Sequence, residues 1–236
     1  MIIPNGQQAA VVGPNGAGKS TLFKVLVGLI KPDRGSIHIH EQPLGTYKSC
    51  VAYVPQREEV DLRFPVTVKE VVMMGRYQHF GMLGKMDDQD HLAVKLAMNR
   101  LGISNLANSS LTELSGGQLQ RVFLARAIAQ EPHILLMDEP FNGVDVSTQE
   151  ATFQLLTELR SQDVTVLVST HDLNMAKERF DSILLLNHKL ISFGSPKEVM
   201  QKENLSAAFG GRIFALDGLI VVDDCCPPET VDGVLI

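Results

Sequence analysis

Ala9-Ala10-Val11-Val12-Gly13-Pro14-Asn15-Gly16-Ala17-Gly18-Lys19-Ser20-Thr21 decides the fold. Its four small apolar residues read as a buried strand, the glycine-rich run as a tight turn, and residues 19–28 as a helix. Gly13 to Ser20 matches GxxxxGK[ST], the pattern of a phosphate-binding loop. Glycines let backbone N–H groups converge on phosphate oxygens, and the helix that opens behind them adds the positive end of its dipole. Lys19 is placed to bridge the β- and γ-phosphates, and the Ser20 hydroxyl to hold Mg²⁺. A strand before and a helix after form the context this motif requires, so the chain is expected to bind a nucleotide.

Outward from that stretch, short apolar runs alternate with longer amphipathic ones. Residues 51–54, 134–137 and 164–168 read as buried strands, and residues 147–161 as a helix leading into the last of them. Such alternation implies an α/β fold, a parallel sheet with helices on both faces, here of the P-loop NTPase type. Between residues 64 and 115 the strands stop. Helices are expected at 67–74 and 88–101, the second with Leu92, Leu96, Met98 and Leu101 near helical spacing. A helical subdomain of about 65–115, inserted in a single domain spanning 1–236, is the simplest organisation. Residues 183–186 and 189–193 form a small antiparallel portion. A helix over 195–202 should follow, with Ser195 and Glu198 as its capping box and Pro196 at its first position. Residues 203–236 read as a C-terminal tail holding one strand, 219–222.

Composition narrows the function classes. The 236 residues carry 21 Lys+Arg against 27 Asp+Glu, a net charge of −6. That balance, with no basic cluster, argues against nucleic-acid binding. The three cysteines make no disulfide framework and no CxxC pair. The N-terminus lacks the pattern of a signal peptide, and the apolar runs are far shorter than the roughly 20 residues that span a bilayer. The expectation is a soluble, cytoplasmic chain whose membrane role, if any, comes through a partner.

Two further stretches carry chemistry. Ile134-Leu135-Leu136-Met137-Asp138-Glu139 is a strand ending in two carboxylates, which a parallel sheet would present beside the phosphate loop. Asp138 is then placed to orient Mg²⁺ and its waters, and Glu139 to polarise an attacking water as general base. Leu114-Ser115-Gly116-Gly117-Gln118 precedes a helix. Ser115 is a good N-cap, and the glycines expose N–H groups at a helix N-terminus, a second anion site. Two such sites for one nucleotide make sense in a head-to-tail homodimer, where each nucleotide lies between the phosphate loop of one copy and this segment of the other.

These motifs, with Gln56 and His171, occur in the order and approximate spacing of the ATP-binding cassette family, which the chain resembles over residues 1–200. The resemblance implies an ATPase. Gly13, Pro14, Asn15, Gly16, Ala17, Gly18, Lys19, Ser20 and Thr21 would hold ATP. Gln56 would sense Mg²⁺ and the interface, Asp145 would cross the dimer interface, and His171 would contact the γ-phosphate. Mg²⁺ would sit among Ser20, Gln56 and Asp138. Residues 65–77 and 139–145 further resemble the subgroup that serves importers of manganese, zinc or iron. That implies an integral membrane permease docked at residues 57–77, an extracytoplasmic metal-binding protein, and a place on the cytoplasmic face of the membrane. The rival readings are a non-transport ATP switch and a non-hydrolysing binding module.

Four features depart from the family pattern or invite another reading. No Tyr, Phe or Trp precedes Lys19, so the aromatic platform that stacks on adenine is missing, and the true start is expected upstream of Met1. Asp223-Asp224-Cys225-Cys226 offers soft-metal ligands, but an unstructured tail is the expectation. His38 and His40 fall on one face of a short run and read as a half-exposed strand. Cys50 reads as a small packed residue.

Overall fold

The computed structural model describes residues 1–46, 50–56, 65–80, 84–210, 213–216 and 219–222. In chain order the elements are β1 (Gln8–Val12), α1 (Lys19–Leu26), β2 (His38–Ile39), β3 (Gln42–Pro43), β4 (Val51–Val54), α2 (Val68–Met74), α3 (Tyr77–Phe80) and α4 (Asp88–Arg100). Then come α5 (Gly116–Ala129), β5 (Ile134–Asp138), α6 (Val146–Ser161), β6 (Thr165–Thr170), α7 (Leu173–Arg179), β7 (Ser182–Asn187) and β8 (Lys189–Gly194). The chain continues through α8 (Pro196–Val199), α9 (Lys202–Phe209), β9 (Ile213–Leu216) and β10 (Leu219–Val222). No helix among the described residues is long and apolar enough to cross a membrane.

The main sheet runs β4-β5-β6-β1-β7-β8. All its pairings are parallel except β7–β8, which closes the edge as a hairpin through His188 at φ 55°. Every residue of β1 and β6 is buried, as a strand covered on both faces must be. Alternation divides the residues between two layers. Ala9 and Val11 face Phe23 of α1, whereas Ala10 and Val12 face the larger core shared with α5, α6 and α7.

Between β4 and β5 the helices α2, α4 and α5 pack together. Thr67 and Glu70 make the capping box of α2, and Asp87 and Asp90 that of α4. Asp90 is also buried and accepts from Nε of the equally buried Arg76 at 2.8 Å. Arg76 Nη1 donates to the Ala129 carbonyl at 2.8 Å and to Glu131 Oε2 at 2.7 Å. One guanidinium thus ties α4 to the loop that leaves α5. This pair corrects the expected face of α4. The helix buries Asp90, Ala93, Val94, Ala97 and Met98, while Leu92 and Leu96 are 54% and 57% exposed. Small residues let α4 approach its neighbours, and the ion pair rotates it away from the leucine stripe.

The helix expected over 195–202 is two helices. The Asn204 side chain donates to the carbonyls of Glu198 and Val199, each at 3.2 Å, and so caps the end of α8. Gln201 is extended and starts α9. Part of the expected tail is therefore packed structure, since Leu205 and Ala208 of α9 are buried. His40 is also not on a strand face: it sits with Glu41 in the β2–β3 turn, both at positive φ, as a two-residue type I′ hairpin requires. Cys225 and Cys226 lie outside the described residues, as do residues 57–64 of the expected docking segment.

Candidate nucleotide site

Parallel register brings the motifs together. Val12 pairs with Thr170 and Asp138 with Ser169, so Gly13, Glu139 and His171 leave the same carboxyl edge of adjacent strands. Open α/β sheets bind ligands at this edge. Gly13 passes so close to β7 that a Cβ there would lie 2.0 Å from the Leu186 carbonyl oxygen. Gly16 and Gly18 take φ of +79° and +97°, which turns successive N–H groups inward.

Lys19 lies at the start of α1 with its side chain buried. Its Nζ donates to the carbonyl of Gly13 at 2.9 Å and to that of Pro14 at 3.3 Å, and stands 3.3 Å from Glu139 Oε1. The other oxygen of Glu139 accepts from Asn142 Nδ2 at 2.8 Å and faces His171 Nδ1 at 2.9 Å. Glu139 has a left-handed backbone, φ 49°. A conformation so costly for a non-glycine residue persists only where its surroundings hold it, here through its N–H bonded to Ser169 Oγ at 2.9 Å. Ser169 Oγ donates in turn to Asp138, whose second oxygen accepts from the Tyr53 hydroxyl at 3.2 Å.

A cavity of about 490 Å³ is lined by Pro14, Asn15, Gly16, Ala17, Gly18, Lys19, Ser20, Thr21, Gln56, Glu139, Asn142, His171 and Phe209. Gly13 borders it through the bond to Lys19, and Asp138 lies directly behind Glu139. The donor set suits a nucleotide with Mg²⁺: a backbone cradle that a side chain would fill, a buried ammonium, a hydroxyl, an amide and a carboxylate. Sequence reasoning missed Asn142, Ser169, Tyr53 and Phe209. The first two sit beside quoted motif residues, whereas nothing local to Tyr53 or Phe209 points to the site.

Ser115, Gly116, Gly117, Gln118 and Asp145 do not line this cavity. Ser115 and Gln118 cap α5 reciprocally, Ser115 N donating to Gln118 Oε1 at 2.8 Å and Gln118 N to Ser115 Oγ at 3.3 Å. Asp145 caps α6, accepting from Thr148 N and Oγ1 at 2.9 Å each. Ser147 and Thr148, donating to its oxygens, hold its carboxyl far below the usual range. A Cβ on Gly117 would lie 2.8 Å from Thr148 Oγ1 and 3.4 Å from Asp145 Oδ2. The two segments thus form a second cluster, apart from the phosphate loop of the same chain.

The ABC transporter family profile matches residues 1–142. The manganese transport system ATP-binding protein of Bacillus subtilis is 42% identical over 94% of this chain and 88% of its own length. The zinc transport system ATP-binding protein of Treponema pallidum is 42% identical over 89% of this chain and 79% of its own. A dimeric ATP-binding cassette solved after hydrolysis with ADP and phosphate superposes with a TM-score of 0.71 at 28% identity, over 83% of this chain and 88% of that one. The chain belongs to the ABC transporter family, as one of its ATP-hydrolysing cassettes.

Proposed function

We propose that this chain powers the import of a transition metal ion, manganese, zinc or iron, through a membrane permease, and that two copies close head to tail on ATP. The convergence of Lys19, Glu139 and His171 on one glycine-lined cavity carries this reading, and the relatives' names supply the cargo class. In the site, backbone N–H groups of residues 14–20 and the Lys19 ammonium would hold the β- and γ-phosphates, replacing the carbonyls that now occupy Lys19. Ser20, Gln56 and Asp138 would hold Mg²⁺, which supplies neutralisation of phosphate charge. Glu139, oriented by Asn142 and by Nδ1–H of His171, accepts a proton from the attacking water. Ser115, Gly116, Gly117, Gln118 and Asp145 would complete the site across the interface.

The permease would rest on the groove between α1 and α2, which exposes Leu29 by 70% and includes Ile30, Ile37, Met74 and Arg126. In this reading the chain works on the cytoplasmic face of the membrane, and an extracytoplasmic binding protein delivers metal to the permease. The test is total cellular manganese, zinc and iron under metal limitation, in cells carrying either wild-type chain or Glu139→Gln. Depletion of one metal in the variant supports the reading and names the cargo. No change in any metal would leave the ATPase intact as a family assignment and favour the non-transport switch.

A further inference from the structure

At the opposite edge of the sheet the register makes a second meeting point. Val51 pairs with Ile134, so Cys50 and His133, each one residue earlier, stand side by side before β4 and β5. Their backbones are fixed: the N–H groups of His133 and Ile134 both donate to the Cys50 carbonyl at 2.9 Å, and the His133 carbonyl accepts from Thr165 N at 2.9 Å. The β2–β3 turn then brings in His40. Its Nε2 lies 2.9 Å from His133 Nδ1, with the rings inclined at 69°. One ring nitrogen from each of His40 and His133, and Cys50 Sγ, all lie within 4.8 Å of one another. Cys50 is buried, whereas both histidines are open to solvent.

Two imidazoles and a thiol from three separate segments form a ligand set that suits a borderline-soft divalent ion. In a tetrahedral zinc site, Zn–N distances of about 2.0–2.1 Å place two nitrogens roughly 3.3 Å apart, so the pair need open by only about 0.4 Å. The exposed side leaves a fourth position for water. We propose that His40, Cys50 and His133 bind one zinc-class divalent ion, pinning the β2–β3 hairpin to the amino edge of the main sheet. Binding displaces the thiol proton to solvent and moves the one ring proton shared between the facing nitrogens to the far side of its ring. A coordinated cation deprotonates a bound thiol outright. Manganese, lowest in the affinity order and poorly matched to thiolate, is excluded. The site is independent of the transport reading, because it concerns binding by the chain alone.

The test is titration of the nucleotide-free chain with Co²⁺ as a spectroscopic probe, in a Cys225→Ser/Cys226→Ser background that leaves Cys50 as the one thiol. One equivalent per chain should give the intense d–d bands of tetrahedral cobalt and a thiolate-to-cobalt charge-transfer band. Zn²⁺ should abolish both, and excess Mn²⁺ neither. Cys50→Ser should remove the charge-transfer band. His40→Asn keeps a residue that tolerates the left-handed turn. It should weaken binding at least about 100-fold, since even outer-shell partners of a metal site contribute 10–100-fold, while leaving ATPase activity unchanged. Octahedral spectra only, displacement by Mn²⁺, or unchanged affinity in His40→Asn would overturn the proposal.

Discussion

The two edges of the central sheet are built by the same device and read very differently. At the carboxyl edge, residues that follow β1, β5 and β6 meet because parallel register aligns the strand ends. At the amino edge, Cys50 and His133 meet for the same reason, one residue before β4 and β5. The difference lies in how much of each site is contiguous. The phosphate loop puts eight of its residues in one unbroken run with fixed chemistry, so its role is written in the sequence. The amino-edge cluster takes one residue from each of positions 40, 50 and 133, and no spacing rule links them. Parallel sheets therefore concentrate chemistry at both ends, and only the end served by a contiguous loop is visible before folding.

Arg76 braces the loop that carries Glu131 and His133 while neutralising buried Asp90. Arg76→Met should lower unfolding free energy by about 3–5 kcal/mol, because it strands a buried carboxylate, while the folded fraction keeps its nucleotide affinity. Denaturant melts and nucleotide titration check both halves. Burial by itself raises the Asp90 carboxyl, but the bonds from Arg76 and the Asp87 N–H outweigh it, and the net shift is downward. A depressed carboxylate contributes stability above its unfolded pKa of about 3.9, and loses it as pH falls through the folded value. The deficit of Arg76→Met should therefore be full at pH 7 and narrow below about pH 4. A deficit independent of pH would mean that lost packing, not the stranded charge, sets the cost.

A smaller effect sharpens the carboxyl side. Gly13→Ala forces a Cβ to 2.0 Å from the Leu186 carbonyl, and should cost about 1–3 kcal/mol through a displaced loop with weakened nucleotide binding. Gly16→Ala has nothing within 4 Å of its new Cβ, and should cost only the roughly 1–2 kcal/mol of a left-handed alanine. Undiminished nucleotide binding in Gly13→Ala would show that close approach to β7 is not what Gly13 provides.

Legibility followed the same division elsewhere. Strands buried on both faces, such as β1 and β6, are announced by their apolar runs, and Ser195 and Glu198 announced the start of α8. Its end was not legible, because Asn204 caps it from outside the helix. The buried face of α4 is not legible in its leucine periodicity, because a buried ion pair sets the helix's rotation. Phe209 reaches the nucleotide cavity from α9, whereas the sequence places no aromatic residue before the phosphate loop. Tertiary contacts of this kind join residues too far apart in the chain for any local pattern to record.

The proposed head-to-tail dimer makes the carboxyl-edge site half of a nucleotide site, completed by Ser115–Gln118 of a second copy. Size-exclusion chromatography with light scattering on Glu139→Gln tests it most directly. With saturating Mg·ATP the variant should run as a dimer, with ADP as a monomer, and Gly117→Arg added to it should keep the ATP-bound chain monomeric. A Glu139→Gln chain that binds ATP yet remains monomeric, or one whose dimer survives Gly117→Arg, would rule out the head-to-tail dimer.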